Sequence, residues 1–130
     1  MGHTTQSSFS STSDYIPATN LQLGYSGNLN CHQGWNDFSF STPFQYNGTD
    51  NLEIAVDDNS GSYSGNSYTF YASPAGATRT LYYYSDSSNP DMASPSSSGA
   101  SSSTASNRVN IKFLASCDSS ATCFRPNMYV

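Results

Sequence analysis

Residues 34–61 read GWNDFSFSTPFQYNGTDNLEIAVDDNSG, and this stretch decides the fold class. Trp35, Phe38 and Phe40 lead into a break at Pro43. Tyr46-Asn47-Gly48-Thr49 is turn chemistry, with Asn and Gly at the positions a tight reversal needs. Leu52, Ile54 and Val56 then alternate with Glu53, Ala55 and Asp57. That period of two is the mark of a strand with one face buried. Asp57-Asp58-Asn59-Ser60-Gly61 closes it as a polar turn. Strand, turn, strand and loop follow within one short segment.

The same grammar recurs outward from it. Leu21, Leu23 and Tyr25 alternate within residues 20–27, which predicts a strand. Further strands are expected at 35–41, 51–57, 67–72, 78–85 and 108–114. The run Thr78-Arg79-Thr80-Leu81-Tyr82-Tyr83-Tyr84-Ser85 has the strongest preference for a pleated surface. Leu81 and Tyr83 fall on one of its faces, Tyr82 and Tyr84 on the other. Ser73-Pro74-Ala75-Gly76 reads as a turn. Residues 85–107 are Ser-rich with Pro90 and Pro95, and their composition predicts a flexible loop. No apolar spacing of three and four is sustained over three turns, so no helix is expected. About six short strands separated by turn signals predict an all-β chain, an antiparallel β-sandwich or jelly roll.

Composition narrows the function. The chain has 130 residues, a net charge of −5 and only four basic side chains. Nucleic-acid binding needs a basic footprint to neutralise phosphates, and none is present. An anionic membrane surface is disfavoured for the same reason. No apolar run approaches the roughly 20 residues of a spanning helix. Aromatics make up 14% of the chain and charged residues only 10%, the reverse of a disordered composition. Met1-Gly2-His3 leads directly into polar sequence, with no signal peptide read there. A Tyr-, Ser-, Thr- and Asn-rich chain poor in Lys points to a secreted or cell-surface β module.

Three groups of residues are candidates for a site. Asp50, Asp57, Asp58 and Asn59 form the acidic cluster; calcium takes several oxygen ligands of this kind. The alternative is an ordinary polar turn in which Asp and Asn bond their own backbone. Trp35, Tyr71, Tyr82 and Tyr84 would make an aromatic platform for sugar rings, each tyrosine offering an apolar face and a polar tip. The alternative is core or edge packing. Cys117 and Cys123 enclose a short loop that a disulfide would close in an oxidising compartment, leaving Cys31 unpaired; the alternative is three free thiols. His3 and His32 are far apart in sequence and match no usual metal spacing. Serine is so abundant that a Ser/His/Asp set carries no weight. Glu53 stands on the polar side of its strand, and no carboxylate pair suggests glycoside hydrolysis. The chain is therefore expected not to be an enzyme and to need no cofactor, calcium aside. Asn47-Gly48-Thr49 fits a glycosylation sequon but reads more simply as the hairpin turn.

A resemblance joins these pieces. Met1-Gly2-His3-Thr4-Thr5 with Ser7-Ser8-Phe9, then Ser13-Asp14-Tyr15-Ile16-Pro17, opens a pattern. Gly34-Trp35, Thr42-Pro43-Phe44, Tyr46 to Thr49, Asn51-Leu52, Ile54 and Asp57 to Gly61 continue it. Arg79 to Ser85 and Asn110-Ile111-Lys112-Phe113 complete it. In this order the residues resemble a β-sandwich module of large secreted and surface proteins of Bacteroidetes-type bacteria, which often neighbours fibronectin type III domains and sometimes peptidases. The resemblance covers residues 1 to about 114. It implies a module at 1–116 and a linker, or the start of a following module, at 117–130. It also implies that further strands precede Met1, which would then be an internal methionine. Residues 28–33, with Cys31 and His32, depart from the pattern.

A sandwich lacking its first strands exposes sheet edges. Such a chain either closes a smaller sandwich or exchanges strands with a second copy as a homodimer. The function expected is non-catalytic: adhesion, or binding of a glycan or protein, within a larger bacterial surface protein. The alternatives are a structural spacer without a ligand and an accessory domain of a hydrolase.

Overall fold

The computed structural model describes residues 1–61 and 69–115, with Ser97 and Ser98 described by backbone alone. Among these residues the chain is all-β, as expected. Six short strands form three two-stranded antiparallel sheets. Strand β1 (Gly2–Thr4) pairs with β2 (Asn51–Glu53). Strand β3 (Ala72–Pro74) pairs with β6 (Asn107–Val109). Strand β4 (Thr80–Tyr84) pairs with β5 (Ser101–Ala105). The only helical turns among the described residues are two 3-10 turns, Ala18–Asn20 and Pro95–Ser98. No helix among the described residues is long and apolar enough to cross a membrane.

The β4–β5 ladder is the longest, and its sequence explains why. Thr80-Leu81-Tyr82-Tyr83-Tyr84 is β-branched or aromatic at all but one position, and such side chains suit a pleated surface. Its partner is Ser-Ser-Ser-Thr-Ala, small enough to leave room for rings lying across it. This ladder corrects the Ser-rich loop expected at 85–107: the second half of that segment is β5 and the start of β6. Composition hid the strand, because serine alone has little preference for one. Pairing with the tyrosine strand supplies what local propensity lacks.

The other strands differ from expectation in length and register. The strand expected at 51–57 stops at Glu53, because β1 offers only three residues to pair with. The strand expected at 67–72 lies partly outside the described residues. Its described part is displaced into Ala72-Ser73-Pro74, so the turn expected at 73–76 moves to Gly76, whose φ is 68°. Pro74 is tolerated in this strand because β3 has one ladder neighbour and an open edge. The strand expected at 108–114 is the shorter β6.

Segments 20–27 and 35–41 are not ladders, yet their backbones do exchange bonds. Gln22 and Met1 pair through two hydrogen bonds, each 2.7 Å, and Ser41 donates to the Gly24 carbonyl at 2.9 Å. Gln22 Nε2 adds bonds to the Thr42 and Pro43 carbonyls. A Cβ at Gly2 would lie 2.6 Å from Leu21, so glycine is what lets residues 20–22 run beside β1. In 35–41, Asn36 bonds the backbone of His32 and Gly34 instead, closing a loop where a strand was expected.

Packing is shallow. Among the described residues no hydrophobic side chain is fully buried. Phe9, Tyr15, Ile16, Leu21, Phe44, Leu52, Ile54, Leu81 and Tyr83 are half-buried and make up the apolar layer. Segment 9–15 lies across β4: Phe9 donates to the Thr78 carbonyl at 2.9 Å, and the Tyr83 hydroxyl donates to the Thr12 carbonyl. Tyr15 meets Tyr83 edge-on at 6.3 Å.

Candidate ligand-binding surface

The alternation of β4 sorts its side chains. Leu81 and Tyr83 turn toward segment 9–15 and are half-buried. Tyr82 and Tyr84 share the other face, at 44% and 57% exposure. Their ring centroids are 6.1 Å apart and the ring planes differ by 31°. Opposite them on β5 stand Ser103 and Ser101, too small to cover a ring. The two faces of β4 thus differ: Tyr83 packs, and Tyr82 with Tyr84 forms an exposed strip.

Trp35 and Tyr71 do not join that strip. Trp35 is 52% exposed, but the Lys112 ammonium sits 4.2 Å from its ring centroid and takes one face in a cation–π contact. Tyr71 is 69% exposed and makes no ring contact among the described residues; its carbonyl accepts the Asn110 N–H at 2.9 Å, extending the β3–β6 pairing. Of the four aromatics expected to make a platform, only Tyr82 and Tyr84 are in ring contact with each other.

The acidic residues are separated. Asp50 belongs to the 47–50 turn, where Asn47 Nδ2 donates to its carboxylate at 2.7 Å. Asn47 Oδ1 accepts the N–H groups of Thr49 and Asp50, and Gly48 takes the left-handed φ of 78°. In the second turn Asn59 donates to the Asp57 carboxylate at 2.7 Å, and Ser60 N–H donates to Asp58 at 2.9 Å. The Ser60 bonds hold the Asp58 carboxyl below its ordinary range. Asn89 donates to the Asn59 side-chain oxygen, tying this turn to the segment after β4. Among the described residues no three His, Cys, Asp or Glu side chains gather where they would share a metal ion. These carboxylates accept hydrogen bonds within their own turns.

Cys117 and Cys123 lie outside the described residues, while Cys31 is an exposed free thiol. His3, isolated in sequence, is not isolated in space. Its Nε2 accepts the Asn47 N–H at 3.1 Å, and its ring lies 4.9 Å from Phe44 and 5.9 Å from Tyr46. That contact anchors the 47–50 turn to β1.

Two open depressions mark the described surface. One, of about 250 Å³, is bordered by Tyr25, Leu29, His32, Asn36 and Phe38 among others, around the loop that holds Cys31 and His32. The other, of about 340 Å³, lies at the end of the tyrosine strip and is lined by Tyr84, Ser85, Asp86, Ser87, Gly99 and Ser101. Sequence reading passed over Asp86, since it stands in a low-complexity run. The available signal was its place directly after a strand ending in two exposed tyrosines. Comparison with family models, with curated proteins and with solved structures finds no match for this chain.

Proposed function

We propose that this chain is a non-catalytic module of a larger secreted or cell-surface bacterial protein, built as the β-sandwich type its sequence resembles. It serves adhesion by holding a ligand, glycan or protein, on its aromatic surface. The observation that carries the reading is the pair Tyr82 and Tyr84, exposed side by side on one face of the longest ladder. Exposed tyrosines combine apolar area with a polar tip, which suits them to recognition. The sparse charge and acidic balance favour uncharged ligands over nucleic acid or anionic lipid. Short strands with open edges also suit a module completed by neighbouring strands of its parent chain or by a second copy.

The test is a glycan array together with immobilised extracellular-matrix proteins, probed with the labelled chain. Binding that falls on Tyr82→Ala is the expected result. A folded chain that binds neither class of ligand would make the module a spacer and overturn the reading.

A further inference from the structure

We infer that the depression at the end of the tyrosine strip is a subsite for a neutral hexopyranose glycan, with Tyr82 and Tyr84 stacking on sugar rings and Asp86 accepting hydroxyl hydrogen bonds. This rests on the binding-module reading and gives it a ligand class and a place.

A pyranose ring has an apolar C–H face and a rim of hydroxyls. It therefore needs a flat apolar surface beside a cluster of hydrogen-bonding groups. Tyr82 and Tyr84 supply the first: centroids 6.1 Å apart and planes tilted by only 31° make one continuous strip. The volume of about 340 Å³ falls in the range of small-ligand sites, of order 300–1,000 Å³. Its walls are hydroxyl-bearing. Ser85 Oγ is tied up by the Ser87 and Ser88 N–H groups, at 3.2 and 3.1 Å, which shapes the turn and holds Asp86 at the rim. The Asp86 carboxylate has no hydrogen-bond or ion-pair partner among the described residues and is exposed. Gly99 takes a φ of 70° with nothing within 4 Å of a Cβ built there, so the depression is open at that position.

Charge selects the ligand class. The lining contains one carboxylate and no Lys or Arg. A carboxylate accepts from sugar hydroxyls through charge-assisted bonds. It repels uronates, sulfates and phosphates, as does a chain of net charge −5.

Affinity electrophoresis of the full chain tests this. The gels contain a mixed-linkage β-glucan, a galactomannan, an arabinoxylan or an α-glucan, with pectin and heparin as acidic controls. Retardation is expected in at least one neutral gel and in neither acidic one. Tyr84→Ala and Tyr82→Ala each weaken it by about tenfold, the loss of a stacked ring. Tyr84→Phe keeps it, which separates loss of stacking from loss of folding. Asp86→Asn weakens it several-fold, and Tyr71→Ala leaves it unchanged. No retardation in any neutral gel, or retardation only in acidic gels, overturns the inference. Neutral-glycan binding that survives Tyr82→Ala, Tyr84→Ala and Asp86→Asn overturns this site and leaves the binding module standing. Binding to an immobilised protein alone does the same.

Discussion

Tyr83 ties two parts of the chain together, and removing its hydroxyl tests how the module holds. The phenol donates to the Thr12 carbonyl, 71 positions away in sequence, and its ring meets Tyr15 edge-on at 6.3 Å and 87°. Burial, with a smaller contribution from Tyr15, raises its pKa. Tyr83→Phe deletes one hydrogen bond and keeps the ring, a loss of about 1 kcal/mol. Thr12 is half-buried, so water reaches the freed carbonyl and keeps the cost at that level. Tyr83→Ala also removes the edge-to-face pair, about 1 kcal/mol, and a half-buried ring, about 1–2 kcal/mol. The expected losses are therefore about 1 and about 3 kcal/mol, read from urea unfolding at constant slope. In thermal melts each kcal/mol corresponds to about 4 °C for a chain of this size. Proteolysis within residues 9–15 should rise in step. The sign in alkali follows from the raised pKa: the stabilisation is complete below the unfolded value and is lost as pH climbs past about 10. Tyr83→Phe should weaken that loss. A Phe variant as stable as the parent, beside a destabilised Ala variant, would refute the hydrogen bond as the tie and leave only packing.

Three further perturbations follow from the geometry. Burial raises the Glu53 pKa, only partly countered by the Met1 amino group, so its contribution to stability is present below about pH 4 and lost as pH rises through the folded value; Glu53→Gln should be more stable at pH 7, and an unchanged pH profile would contradict this. Asp14 accepts from Ser10 Oγ and Ser10 N–H, both at 2.5 Å, and from Ser11 N–H, which lower its pKa; its contribution is present above about pH 4 and disappears in acid, so Asp14→Ala should flatten the acid limb of unfolding. Lys112→Ala removes the cation over the single tryptophan, so the Trp35 emission should shift with a stability cost of about 0.5 kcal/mol, while Tyr82→Ala leaves that emission unmoved.

What could be read from the sequence was governed by side-chain bulk. Leu81, Tyr83, Tyr82 and Tyr84 alternate strongly enough to place β4 and to split its faces correctly. Leu52 places β2, but not its length, which β1 limits from across the sheet, nor its faces, since Glu53, expected on the polar side, is half-buried like Leu52 and Ile54. β5 was invisible because Ser101 to Ala105 has no pattern of its own; it becomes a strand only when Tyr82 and its neighbours lie beside it. The same blindness hid Asp86. Segments 20–27 and 35–41 erred in the opposite direction. Leu21, Leu23 and Tyr25 do alternate, but the side-chain amides of Gln22 and Asn36 bond backbone carbonyls of nearby residues. For the aromatics, sequence named four residues and the fold paired two, because ring contact depends on register rather than residue type.

The junction between β5 and β6 carries a mechanical consequence. Three successive carbonyls there accept from the segment before and within β4: Ala105 from Arg79 N–H at 3.0 Å, Ser106 from Ala75 N–H at 2.8 Å, and Asn107 from the Thr80 hydroxyl at 2.6 Å. Tension reaching this corner is shared among three bonds at once, so it acts as a clasp that resists peeling and lets the tyrosine ladder keep its shape under load.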